Sequence, residues 1–274
     1  MYLKAKLMLP CLLVAGLAMG SCSTSNDEPE TPGNPDKEEP VNPDPEKPGE
    51  TVIGSPSNVF VNAVPKAAAH VKSIILDEKG RVSTLKSDNG DVTFTYAQAR
   101  AAQSYDVLMK VDGYDLYLTL GDNGFVKTAN EYEDGENTNN FTLEYADNGH
   151  LTKVIHEEDR RLDIHYDAEE DIVQVDYYPW EESDFSSNAE KTYVHYTSDS
   201  HPSKVENKGC IMLWYYIFDI DMDRLEYAYY AGLLGKATRH LPWKSGEYDV
   251  TWKLNAMGYP IEVTVSDEKY TFSW

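Results

Sequence analysis

Several clusters of side chains invite a chemical reading, beginning with the carboxylates. Asp219, Asp221 and Asp223 alternate in Asp219-Ile220-Asp221-Met222-Asp223, as at the start of an oxygen-lined calcium loop. Arg224 stands where that loop needs Gly, and Tyr230 where it needs Glu. The run is therefore expected as a solvated strand face opposite Phe218, Ile220 and Met222. Gly232-Leu233-Leu234-Gly235-Lys236-Ala237-Thr238 has too few residues between its glycines for a Walker A loop and no Ser or Thr directly after Lys236. A bend joining two packed strands is expected there. His156-Glu157-Glu158-Asp159 lacks the second His of a zinc protease motif and is expected at a solvated hairpin tip. No Gly-x-Ser-x-Gly elbow occurs, and among 47 acids no pair stands out as glycosidase carboxylates. These residues name no catalytic group, metal ligand or cofactor, and the expectation is a protein that is not an enzyme.

Aromatic residues offer a different chemistry. Tyr177-Tyr178-Pro179-Trp180-Glu181-Glu182-Ser183-Asp184-Phe185 reads as a polar loop between two strands that carries large rings. Tyr178 and Trp180 are candidate ligand contacts, able to stack on a sugar ring or a partner protein. The competing reading folds them back to plug a barrel end. Trp243, in His240-Leu241-Pro242-Trp243, is a further candidate contact.

The thiol of Cys22 carries a third chemistry. Lys4 and Lys6 precede an apolar run, Leu7 to Met19, interrupted by Pro10 and Gly16. It is shorter than the roughly 20 residues of a membrane-spanning helix, so it reads as an export signal. The run ends Leu17-Ala18-Met19-Gly20-Ser21-Cys22, which resembles a bacterial lipobox with Met19 where Leu is commonest. Small residues admit a peptidase, and the Cys22 thiol accepts diacylglycerol. Cys11 follows Pro10 and too short a run, and the alternative for Cys22 is a place near an ordinary cleavage site. Lipid chains add about 0.8 kcal/mol per buried methylene, enough together to hold a protein on a membrane.

Three segments follow from this: a signal peptide over 1–21, a lipidated Cys22 with an acidic Pro-rich tether over 22–50, and one domain over 51–274. The tether has prolines at 29, 32, 35, 40, 43, 45 and 48, and Val41 as its main apolar residue, so no core is expected. Ser23 to Glu28 is similar to the acidic signal that sends Bacteroidetes-type lipoproteins to the cell surface, although a plain acidic linker reads the same. A charge of −23, more negative once Lys4 and Lys6 leave, repels phosphate backbones and excludes nucleic acid as a partner. Cys210 is the one Cys after Cys22, so no intramolecular disulfide is expected in the domain. It is read within a buried strand, Gly209 to Trp214.

Within 51–274, apolar residues alternate as Val92, Phe94, Tyr96; Leu116, Leu118, Leu120; Phe141, Leu143, Tyr145; Leu162, Ile164, Tyr166; and Tyr248, Val250, Trp252, Leu254. Period two marks half-buried strands. Turns such as Ala146-Asp147-Asn148-Gly149 separate them into hairpins. The 21 residues from Tyr145 to Tyr166 and 30 from Tyr166 to Tyr196 are too uneven for a solenoid or propeller. An all-β fold is expected, an antiparallel meander of hairpins curled into a barrel or half-barrel, with one brief helix from Ala97 to Ser104. The alternating end, Tyr270-Thr271-Phe272-Ser273-Trp274, looks like an outer-membrane assembly signal. Most runs are shorter than the 9–11 residues or so of a membrane strand, and charges crowd their polar faces.

The segment Leu225 to Pro242, with the strand pair around Asn255 to Pro260 and Tyr270 to Trp274, resembles a domain of unknown function in Bacteroidetes-type lipoproteins described as having a porin-like fold. The resemblance implies a barrel and an outer-membrane location, and no catalytic residue comes with it. The expected function is a non-catalytic binding module for a glycan or envelope protein, held at the surface or in the envelope by lipid on Cys22. The alternatives are a structural or assembly protein of the outer membrane and a glycan-acting enzyme.

Overall fold

Alternation of apolar and polar residues builds strands here, and glycine or acidic turns reverse them. The computed structural model describes residues 52–97 and 104–274. The signal segment, Cys22, the tether and most of the helix expected at Ala97 to Ser104 lie outside the described residues. The first strands are β1 (Ala67–Ala68), β2 (Val71–Leu76), β3 (Val82–Ser87), β4 (Gly90–Tyr96), β5 (Val107–Val111) and β6 (Tyr114–Leu120). Next come β7 (Val126–Glu133), β8 (Glu136–Tyr145), β9 (Leu151–His156), β10 (Arg160–Tyr166), β11 (Ile172–Glu181), β12 (Asp184–Phe185) and β13 (Glu190–His195). After a long excursion the chain finishes with β14 (Val205–Glu206), β15 (His240–Leu241), β16 (Lys244–Ser245), β17 (Tyr248–Leu254), β18 (Pro260–Val265) and β19 (Glu268–Ser273).

Every pairing is antiparallel, and β1 joins β19 to β2, which closes a 16-strand ring. β12 is a spur on β11, and β14 and β15 pair apart from the ring. The meander of hairpins expected from the sequence therefore forms a full barrel. At one rim the reversals are two-residue turns, such as Asp112-Gly113 and Asp134-Gly135, with positive φ at both positions. The opposite rim holds the longer turns. There the recurrent Tyr at a strand end reaches back to a carbonyl on its neighbour: Tyr96 Oη to Val82 O at 2.8 Å, Tyr145 Oη to Val126 O at 3.0 Å, Tyr166 Oη to Leu151 O at 3.0 Å.

Inward positions are apolar, including Val92, Phe94, Leu116, Leu118, Phe141, Leu143, Leu162, Ile164, Val250 and Trp252, all buried in one core. Outward positions carry cross-strand ion pairs: Lys110 with Asp115 at 2.8 Å, Lys153 with Glu144 at 3.3 Å, Lys253 with Glu262 at 2.7 Å, and Lys86 with Asp91. A lipid-spanning barrel has the opposite polarity, apolar outside and polar within. Trp274 is likewise occupied: its Nε1 donates to the Pro260 carbonyl at 2.5 Å, and its ring lies against Tyr259, where a Cβ on Gly209 would meet it at 2.5 Å.

The interior is filled by the chain itself. Between β14 and β15 lie helix α1 (Trp214–Phe218) and a 3-10 helix (Asp223–Ala231). Trp214, Phe218, Leu225, Tyr229, Leu233 and Leu234 are buried in the same cluster as the wall. Contacts tie this plug to strands around the ring: Val126 N donates to Leu233 O at 2.9 Å, Tyr230 Oη to Ala68 O at 3.4 Å, and Thr192 Oγ1 to the Asp219 carboxylate at 3.0 Å.

Three expectations are corrected here. Gly209 to Trp214 is not a strand: Cys210 sits half-buried in a turn at φ 48°, and α1 begins at Trp214. Asp219 to Asp223 links α1 to the 3-10 helix instead of forming a strand face. Gly232 does not join two strands but ends the 3-10 helix at φ 69°, and a Cβ there would come within 2.2 Å of the Ser55 carbonyl. Most of this segment is buried whichever way its side chains point, so its apolar run carries no clear period to separate helix from strand.

Candidate functional site

Because Leu116 and Leu118 point inward, Tyr117 and its neighbours must point out, and they form the floor of a groove on the wall. The register sets Tyr117 opposite Asn130 and Asp115 opposite Tyr132 on β6 and β7. Tyr105, just before β5, meets Tyr117 edge to face with ring centroids 5.0 Å apart, and Tyr117 meets Tyr132 in the same way at 5.4 Å. All three rings are half-buried. Thr119 extends the floor, and the turn residues Gly113, Asp134 and Gly135 close one end, enclosing about 590 Å³. That volume suits a small ligand. Lys110 Nζ holds both Asp115 oxygens at 2.8 Å, which fixes the carboxylate at the groove edge.

The loop expected over Tyr177 to Phe185 is instead strand: Tyr178 and Trp180 lie on β11, at the rim with the short turns, and Asp184–Phe185 folds back on it as β12. Arg161, opposite Tyr178 in the register, lies over the Tyr178 ring at 3.9 Å. Trp180 meets Phe185 of β12 edge to face at 5.0 Å. The rings pack on one another and on Arg161, half-buried on the wall; the barrel is plugged by other residues. Trp243 is not brought to them. It lies beside His195 at the other rim, stacked on His201 at 3.5 Å. Tyr105, Tyr117 and Tyr132 were missed because they come from separate segments, although the outward parity of Tyr117 between Leu116 and Leu118 was readable.

The polar clusters serve the plug. Asp221 and Asp223 each lie 3.1 Å from the Arg160 guanidinium, a pairing that takes up two of the three carboxylates of the suspected calcium run, while Asp219 accepts from Thr192. His156 is not at a solvated tip: it is buried, stacked on Phe141 at 4.5 Å, with Nδ1 2.8 Å from Asp159. Burial, aided by Arg160, pulls its pKa below the ordinary value. Glu131, fully buried, accepts from Thr138 and Asn139 and faces Arg224 at 3.6 Å. Glu226 is pushed up to about 7, first by burial and then by Asp221 and Asp223.

Glu169, Asp171 and His240 bring ligand atoms within 4.8 Å of one another, a spacing a metal ion could use. Lys204 supplies the cation instead. Its Nζ lies 2.7 Å from Asp171 and 3.2 Å from both Asp167 and Glu169. Burial works against the ammonium, but bonds from Asp171, Glu169 and Asp167 outweigh it and hold its pKa above the ordinary value. Asp171 also accepts from the His240 backbone N–H at 2.9 Å, which pins the return of the plug to the wall.

An antiparallel barrel closed on itself, filled by an internal segment and charged outside, defines a class of plugged, water-facing barrel. The chain belongs to the family described as a domain of unknown function (DUF4595) with porin-like fold, matched over residues 71–273. A porin-like protein from Bacteroides uniformis superposes with a TM-score of 0.52 at 13% identity, covering 73% of this chain and 88% of that one. A second, from Bacteroides vulgatus, gives 0.46 at 13% identity over 74% and 91%. No curated protein matches the sequence.

Proposed function

We propose that the protein is a non-catalytic binding module of the cell envelope, lipidated on Cys22, that takes a glycan or another envelope protein on its outer wall. The observation that carries this reading is the barrel's polarity. Apolar side chains and the plug occupy the inside, while a groove of about 590 Å³, floored by Tyr105, Tyr117 and Tyr132, lies on the outer wall. A filled barrel has no lumen for a channel, and function falls to the exterior. The lipobox-like run before Cys22 and membership of a porin-like family support the envelope as its place.

Fractionation of cells producing the wild type and Cys22→Ser tests the location. The wild type is expected with outer membranes and accessible to added protease on intact cells, and the variant is expected to be released. A Cys22→Ser chain that stays with membranes would overturn the lipid anchor. Purified protein in planar bilayers is expected to give no ion conductance, and steady unitary currents would overturn the plugged-barrel reading.

A further inference from the structure

We infer that the groove over β6 and β7 binds a neutral oligosaccharide, an assignment that rests on the binding-module reading and names its ligand class. The argument begins with what the groove lacks. Among the described residues no aliphatic side chain lines it; its walls are Tyr, Asp, Asn, Thr, Ser and Gly. Protein partners draw their affinity from apolar anchors seated in desolvated pockets, and no such pocket exists here.

Peptide capture by strand addition is closed off as well. The floor strands are interior members of a ring, with β6 paired to β5 and β7, and β7 to β8, so no edge is free. What remains are ring faces and polar groups in alternation. Tyr117 stands 64° and 88° from the planes of Tyr105 and Tyr132, so successive rings turn different faces and edges into the groove. Asn130 offers both amide donors and an acceptor, Thr119 a hydroxyl, and Asp115 an acceptor held in place by Lys110. Sugars present this same mixture, apolar ring faces bordered by hydroxyls that both donate and accept.

Charge selects among sugars. Among the described residues the charged groups of the lining are Asp134 and Asp115, the latter paired with Lys110, and the whole chain carries −23. Uronic acids, sialylated chains and phosphorylated glycans meet repulsion there, whereas uncharged hexoses, pentoses and N-acetylhexosamines do not. The floor strands present the groove on a rigid wall, so binding requires little rearrangement of the backbone.

The test uses the mature full-length chain in detergent, with titration calorimetry against a panel of neutral hexose, pentose and N-acetylhexosamine oligosaccharides and a galacturonic acid hexamer as anionic counterpart. Immobilised protein is exposed to envelope extract in parallel. Tyr117→Ala and Tyr132→Ala are compared with Tyr117→Phe, and thermal unfolding checks that each variant folds. The expected result is binding of a neutral oligosaccharide that weakens about tenfold or more in each Ala variant and far less in Tyr117→Phe. Preference for the acid hexamer, or capture of a protein that Tyr117→Ala abolishes, overturns the neutral-glycan assignment and leaves the binding module standing. If neither sugars nor envelope proteins bind in a way the Tyr117 and Tyr132 variants alter, both readings fall.

Discussion

Glu226 makes the stability of this barrel depend on pH in a direction opposite to that of most carboxylates. It sits on the 3-10 helix of the plug, where burial, then Asp221 and Asp223, raise its pKa from 4.5 to about 7. A carboxyl raised in the folded state favours folding while protonated. Its contribution is full below about 4.5, is lost as the unfolded chain ionises first with rising pH, and levels off above about 7. Taken at full strength the gap corresponds to about 3 kcal/mol. A cavity of about 260 Å³ beside Glu226 and Asp223 admits solvent, so about 1–2 kcal/mol is the expected size after screening. Glu226→Gln keeps the shape and removes the charge. Urea unfolding of both proteins at pH 5 and pH 8 cancels the titration of other groups, including Asp167 and Asp176, whose lowered values act in the opposite direction. The variant is expected to gain on the wild type by about 1–2 kcal/mol between the two pH values. An unchanged difference, or one that shrinks as pH rises, would refute the reasoning.

Three further outcomes follow from the packing. Leu225→Ala, at a fully buried plug position, is expected to lower unfolding free energy by about 2–5 kcal/mol, read from the urea midpoint. Lys204→Met leaves fully buried Asp171 without its ammonium and is expected to destabilise by about 2–4 kcal/mol at pH 7; added calcium or zinc is expected to leave the wild-type melting temperature unchanged, since Lys204 already fills the place. Lys253→Ala breaks an exposed pair with Glu262, and a urea midpoint indistinguishable from wild type is expected.

The wall was legible because each strand has one wet face and one dry face. Val92 and Phe94, Leu162 and Ile164, and Val250 and Trp252 all point inward as their alternation requires. The plug was not legible because most of Ile211 to Leu234 packs against the wall irrespective of position in the run, with Tyr215 and Asp219 as exceptions, and the Asp219, Asp221 and Asp223 alternation that suggested a strand face reflects pairing to Arg160 and Thr192. Of the aromatic candidates, Tyr178 and Trp180 are neighbours in sequence and in space, so local reading found them. The tyrosine groove needs Tyr105, Tyr117 and Tyr132 from three segments, and only strand register brings those together.

The ring is sealed where β1, near the start of the domain, meets β19, at its end. That seam makes the barrel a matter of time as well as structure. Pairing Ala67 with Ser273 spans nearly the whole domain, and contacts so distant in sequence slow folding. Until β19 has been made, β1 and β18 stand as open edges able to pair with other chains. Loss of even the closing hairpin would leave a curled sheet around an exposed plug. The seam makes the barrel complete only once β19 has joined β1, and a partner that shields open strands would be of most use to it in that interval.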